Sequence, residues 1–407
     1  MKLPTCQSAR RELFGLCTGV MLASTAVSMS APLVPLQVTA LGATPGLLGV
    51  LVSVASIGSL LIAVPSGVFV QRFGTRTLVV IASLLIASSC VLIYLLPVIG
   101  VFFIGLTFFE MGRVVITVGA QGHVANLSSG RDPGLDFGWY GSAASIGQLI
   151  GPFAAGLLID NFGYRITWAA TGALMLLTGL AFIMLIGPGL FEPANSDRNH
   201  YSWKRMKRLL DISSAVAILA SFIVIFAIGA RTTFFPLYAD ELRFSASTIG
   251  AFMSLRALTS VFSRLLMRHF LRLCRGRMPA LLISMTVLSI GIGLTPFCRG
   301  FISLALLSIL VGIGVAFANP LSMATVADGV RPEDRGVALG LRLSGTRLAK
   351  LINPLFFGLI IQGFGIAMAF WAGGIILFAV ITPIFIWWRT GLVVLTDHSG
   401  GNTGRDR

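Results

Sequence analysis

Charge is what this chain has least of. Asp, Glu, Lys and Arg make up 11% of its 407 residues, against about 25% in soluble domains, and the mean hydropathy is +0.90. That balance excludes a water-soluble globular protein. Acids are scarcer still, 15 against 30 Lys and Arg, and there are four His. No HExxH, Walker or nucleophile-elbow sequence occurs, so metallohydrolase, nucleotide-driven and triad chemistry lack the residues they need. The expectation is a non-enzyme with no cofactor and no metal. The five cysteines, Cys6, Cys17, Cys90, Cys274 and Cys298, are odd in number and show no CxxC spacing, which supports neither a disulfide framework nor a zinc site. Long polar stretches are also missing. The longest, Glu192 to Asp211, leaves no room for a soluble domain between apolar runs.

What remains is apolar runs. At about 20 residues per crossing the chain holds twelve, and the expected fold is an all-α polytopic membrane protein. Its expected parts are a six-helix half at 1–190, a linker at 191–211, a second six-helix half at 212–390 and a tail at 391–407. The run from Leu13 to about Pro35 is too long for a signal h-region and reads as a retained first span.

The division into halves rests on a repeat. Residues 138–163 read GWYGSAASIGQLIGPFAAGLLIDNFG and residues 340–365 read GLRLSGTRLAKLINPLFFGLIIQGFG. One constant offset superimposes Gly138 on Gly340, Pro152 on Pro354, Gly156 on Gly358 and Gly163 on Gly365, with Asn353 in the place of Gly151. Gly147, Gly151 and Gly156 make a stripe without side chains, against which another helix can close tightly. Interior Gly and Pro weaken a helix in water, but in lipid neighbouring helices resatisfy the freed backbone.

A net charge of +15 would suit nucleic acid, but its distribution points elsewhere. With the N-terminus inside, twenty Lys and Arg fall in cytoplasmic segments, and only Arg165, Arg243 and Arg299 fall outside. This positive-inside bias predicts a multi-pass protein with both termini in the cytoplasm, bound to lipid and not to nucleic acid, and the compact loops suggest a bacterial cytoplasmic (inner) membrane. The basic run Lys204 to Arg208 fits a linker lying on anionic lipid.

Seven cations and one acid fall inside the predicted spans. Glu110 and Arg113 lie near the centre of span 4 (about 101–122), three apart and therefore on one helix face. Arg231 lies near the outer end of span 7 (about 212–236), and Arg256 near the centre of span 8 (about 248–267), with Arg264 near that span's inner end. Arg342, Arg347 and Lys350 lie on span 11 (about 337–361), while span 10 (about 301–326) is expected to break at Asn319-Pro320. Charged groups at membrane depth are costly and mark transport paths. One acid among several cations calls for an anion, and guanidinium forks hold carboxylate or phosphate bidentately. Glu110 is therefore the expected proton-coupling carboxylate, and Arg113, Arg256, Arg347, Lys350 and Arg342 the expected substrate-binding set. The competing reading of Glu110 and Arg113 is a static structural pair. Arg264 is expected to snorkel. Phe102, Phe103, Phe108, Phe109, Phe234 and Phe235 are taken as ordinary packing or lipid-facing material.

These residues resemble the major facilitator superfamily over the whole chain. In the turn after span 2, Gly67, Arg72, Gly74 and Arg76 match that family's signature, with Gln71 where an Asp is usual. Arg113-Val114 and Gly119-Ala120 resemble its span-4 Arg motif, with Ile116 and Thr117 replacing Gln-Gly. Gly147, Gly151, Pro152 and Gly156, echoed by Asn353 and Pro354, resemble the span-5 motif of its antiporter branch. The resemblance implies two six-helix halves that rock about a midplane site, and a gating role for these motif residues. It further implies proton-coupled exchange of a small molecule, here an anionic or zwitterionic organic compound leaving the cell. Two alternatives stand beside it: proton-coupled uptake of an organic anion, and a non-transporting sensor or scaffold. The charged residue often found in span 1 of multidrug exporters is absent.

Overall fold

The structure is a computed structural model that describes residues 6–127, 133–186, 212–328 and 335–390. The linker at 191–211 and the tail at 391–407 lie outside the described residues, as do the side chains of Gln71 and Arg342.

The described chain is helical throughout. Spans 1 to 4 are Cys6–Ala40, Pro45–Phe73, Thr75–Leu95 and Ile99–Leu127. Spans 5 and 6 are the two arms of Pro133–Leu185, parted at Gly163, whose φ of 78° no helix contains. Span 7 runs through Ile212–Gly229, a π-helical turn Ala230–Phe234, and Phe235–Glu241. Spans 8 to 12 are Ala246–Leu265, Arg277–Gly293, Phe301–Asp328, Arg335–Phe364 and Ile366–Arg389. Eight described helices are long and apolar enough to cross a membrane by themselves. The break at Gly163 divides one of them. The remaining three crossings are Ala246–Leu265 with its bent continuation Met267–Leu273, the 17-residue Arg277–Gly293, and the cation-bearing Arg335–Phe364. The chain is thus an all-α, twelve-span protein of two pseudo-symmetric six-helix halves.

Span 10 differs from expectation. Its helix continues through Pro320 from Phe301 to Asp328. Proline is tolerated inside membrane helices where local adjustments resatisfy the backbone. Sharp reversals occur at glycines instead. Gly74, Gly163 and Gly365 all have φ between 78° and 84°, a region L side chains avoid. Gly163 and Gly365 are equivalent positions of the repeat.

Packing divides the chain into two compact units. One holds the described residues of Met1–Arg198 with Ala230–Ala257 and Leu351–Ile366, and the other holds Leu258–Lys350 with the described parts of Asn199–Gly229 and Ala367–Arg407. The first unit takes segments of spans 7, 8 and 11 from the second sequence half because glycines allow backbones to touch there. A Cβ on Gly147 would stand 2.6 Å from the Met21 carbonyl, and one on Gly151 2.6 Å from the Ser28 Cβ, so span 5 lies flush on span 1. Further along, Gly156 meets the carbonyl of Ala246, and Gly250 meets that of Pro152. Span 5 therefore crosses the start of span 8 backbone to backbone. The repeat builds the same crossing again between spans 11 and 2. Gly49 meets the carbonyl of Pro354, and a Cβ on Gly358 would stand 2.8 Å from that of Pro45.

Matching hydrogen bonds fasten both crossings. The hydroxyl of Ser254 donates to the Leu149 carbonyl at 2.6 Å, and Ser53 donates to the Leu351 carbonyl at 3.1 Å. Asp160 accepts from the backbone N–H of Ala246 at 3.0 Å and of Ser247 at 2.8 Å, capping span 8 from a different helix. Gln362 occupies the equivalent place beside Gly46 on span 2.

The packing makes a direct prediction about stability. Gly151→Leu forces a side chain into the Thr25–Met29 backbone and is expected to lower the melting temperature in detergent micelles by several degrees, the effect of about 1–3 kcal/mol of overpacking. Gly138→Leu adds the same side chain to a glycine with nothing within 4 Å and is expected to melt with the wild type.

Candidate functional site

Span 4 is held by two of its faces. Gly105, Gly112 and Gly119 recur every seven residues and receive Ile93, Ile86 and Val79 of span 3. Beside that stripe, Phe102 and Phe109, fully buried, meet the edge of Trp168 on span 6 at 6.2 and 6.3 Å between ring centroids. The Trp168 indole N–H donates to Gln37 Oε1 of span 1 at 2.5 Å, so this buried Trp has its polar partner. On another side, Thr107 and Met111 close over Gly58 of span 2.

At about 100° per residue, Glu110, Arg113 and Thr117 fall on a third face, between the one packed on spans 3 and 6 and the one packed on span 2. Here the two charges meet. Arg113 Nε donates to Glu110 Oε2 at 2.9 Å, and Nη2 donates to the same oxygen. The Arg113 carbonyl accepts from the Thr117 hydroxyl at 2.8 Å. The side chains keep 23% and 28% of their surface exposed. At the far end of the same helix, His123 Nε2 approaches Glu12 Oε2 of span 1 at 3.8 Å.

The other expected substrate residues are spread over the two units. Arg256 lies in the same unit as Glu110 and Arg113, half-buried on span 8, whereas Arg347 and Lys350 are half-buried on span 11 within the second unit. Asn353 is buried to 1% exposure, immediately before the Pro354 carbonyl that touches Gly49. In the turn after span 2, Gly74 caps one helix and starts the next, while the buried Thr75 hydroxyl reaches the Gly119 carbonyl at 3.5 Å. Gly67 has open space, Arg72 is exposed and Arg76 is half-buried. Among the described residues, no three His, Cys, Asp or Glu come together to hold a metal ion.

Sequence reasoning passed over three groups. Arg231, placed near the outer end of span 7, is absent from the expected substrate set, yet its residue is 2% exposed and its guanidinium carbon lies 3.7 Å from the centroid of the Phe235 ring. Phe234 and Phe235, expected as packing or lipid-facing material, are fully buried and so belong to the packing. The capping role of Asp160 also went unseen. A lone Arg in an otherwise apolar span was the available signal for the first. Asp160 gave none, since its partners are 86 and 87 residues away.

A model of the Major Facilitator Superfamily matches residues 16–278 and 217–404. Quinolone resistance protein NorA of Staphylococcus aureus is 23% identical over 357 residues, 86% of this chain and 89% of the relative. Multidrug resistance protein 2 of Bacillus subtilis is 20% identical over 361 residues, 85% and 87% of the two chains. Among solved structures, the nucleoside transporter NupG superimposes with a TM-score of 0.76 at 14% identity, covering 93% of this chain and 99% of that one. A peptide transporter POT in complex with sulfate gives 0.78 at 13%, covering 94% and 96%. These last two likenesses speak for the fold.

The pairing on span 4 is measurable by itself. A thermal double-mutant cycle with Glu110→Gln and Arg113→Met is expected to return a coupling of about 1–2 kcal/mol in favour of the pair.

Proposed function

Because the chain belongs to the Major Facilitator Superfamily and is a multi-pass membrane transporter of small molecules, we propose that it exchanges protons for an anionic or zwitterionic organic compound, with Glu110 as the coupling carboxylate. The observation that carries this reading is the Glu110–Arg113 pair itself. It is an acid and a guanidinium at membrane depth, on the one face of span 4 that neither packing contact uses. A charge pair placed only for stability gains little over apolar packing. A pair that opens and closes can trade a proton for a substrate anion: when Arg113 turns to the anion, Glu110 loses its counter-ion and takes up a proton. Arg256, on span 8 of the same unit, supplies further positive charge for the anion.

Alternating access works through the two glycine crossings. In this state the span 5–8 and span 2–11 contacts are closed, and substrate passes their end of the molecule when they part. Side-chain-free surfaces slide without interlocking, which suits contacts that must form and break. The gating roles of Gly147, Gly151, Pro152, Gly156, Asn353 and Pro354, and of the Gly67 to Arg76 turn, follow from this. Positive-inside threading puts the crossings at the outer surface and both termini in the cytoplasm.

Export is favoured over uptake by the company the chain keeps, since relatives with similar sequences are named for quinolone and multidrug resistance. A quinolone carries a carboxylate on an aromatic ring, which agrees with an anionic or zwitterionic substrate.

The test is proton movement in proteoliposomes of purified protein, with a pH-sensitive dye inside and organic anions, a zwitterionic quinolone and lipophilic cations added in turn. Flux driven by the anions or the quinolone, reduced at least tenfold by Glu110→Gln, is the expected result, and its sign separates antiport from symport. Flux driven only by lipophilic cations, or unchanged by Glu110→Gln, contradicts the proposal.

A further inference from the structure

Arg231 has no part in the mechanism above, yet among the described residues of the first unit it is the most deeply buried charged one, at 2% exposure. It sits in the apolar run IFAIGARTTFFPLY of span 7. Removing a guanidinium from water is costly, and tying helices together does not require one, because Leu or Met packs apolar faces without that cost. Its surroundings suggest what the charge is for.

The backbone comes first. Ala230–Phe234 is wound as a π-helix, which carries an extra residue in the turn and redirects the side chains on it. The guanidinium follows from this placement. With its carbon 3.7 Å from the Phe235 centroid, it rests on the ring face, a geometry in which the N–H fork points along its own plane. That fork matches both oxygens of a carboxylate.

Aromatic rings complete the setting. Phe234 stacks on Phe357 of span 11, with centroids 5.3 Å apart and planes at 19°, and Phe235 meets the edge of Phe252 at 6.2 Å. Spans 7 and 11 traverse the membrane in the same direction, so the stack fixes their relative level. Arg231 lies three residues before Phe234, and Asn353 lies four before Phe357. Arg231 and Asn353 are thus buried residues whose backbone positions lie about one turn below a stacked aromatic pair on two parallel helices, and the guanidinium reaches back up to the Phe235 ring.

We infer that Arg231 is a substrate-recognition residue of the transport path and that its ligand is an aryl carboxylate. The carboxylate lies along the Arg231 fork with the Asn353 amide as a second donor, and the aryl ring packs among Phe234, Phe235 and Phe357. Span 11 carries both Asn353 and the Pro354–Gly358 crossing, so the buried guanidinium becomes accessible when that crossing parts. The inference rests on the organic-anion reading above and assigns its binding group.

Binding of 1-naphthoate and of 1-naphthylmethylammonium to purified protein in micelles tests it, with succinate as a non-aromatic carboxylate. Arg231→Gln is expected to weaken naphthoate at least tenfold and leave the ammonium compound within twofold. Arg231→Lys, which keeps the charge and loses the fork, is expected to weaken naphthoate threefold or more, and it decides the matter if Arg231→Gln is not monodisperse. Naphthoate affinity within twofold of wild type in the deciding variant overturns the assignment and leaves the organic-anion reading standing. Wild type that binds succinate but not naphthoate also overturns the assignment. Wild type that binds the ammonium compound and no anion removes the organic-anion reading and this inference with it.

Discussion

Close approach of backbones is the constraint on which this structure depends. At Gly156, Gly250, Gly49 and Gly358 the space that a Cβ would need is taken by the backbone of another span. In lipid no hydrophobic effect drives helices together, and the attraction comes from packing and hydrogen bonds at short range. Small residues are therefore the condition for association. Ser254 and Ser53 hydrogen bond across the two crossings at matching places, showing that the pseudo-symmetry reaches individual side chains. The two crossings differ in one respect. Asp160 brings a full negative charge to the start of span 8, whereas Gln362 brings a neutral amide to the start of span 2.

The charges depend on this scaffold. Span 4 is fixed in rotation by glycines on one side and by the Phe102–Trp168–Phe109 edge contacts next to them. What is left is a strip where Glu110 and Arg113 meet. Span 7 solves a different problem: its π turn places Arg231 on the face of Phe235. One helix keeps its cation beside an acid and the other keeps its cation on a ring. These are two ways of stabilising charge at membrane depth.

Much of this was legible in the residues. Twelve spans followed from composition and length, and the halves from the repeat. The Glu110–Arg113 contact followed from i, i+3 spacing alone, because both partners share one helix. Contacts between helices were harder. The glycine stripe announced a close partner for span 5 without naming span 1 or span 8. Asp160 offered no signal, since its capping role depends on a helix start more than eighty residues away. Asn319-Pro320 read as a break, but the helix continues, because a missing N–H costs little where the local backbone can adjust. The π turn at Arg231 left no pattern, as one inserted residue disturbs no periodicity in a uniformly apolar run.

The central claim is that the glycine crossings open in every transport cycle. In a background without native cysteines, Asp160→Cys with Ser247→Cys puts a thiol on each side of the span 5–8 contact. Turnover of the compound that drives proton flux is then measured after oxidation and again after reduction. The account predicts that turnover stops in proportion to the cross-linked fraction and returns on reduction. Undiminished turnover in fully cross-linked protein would contradict it.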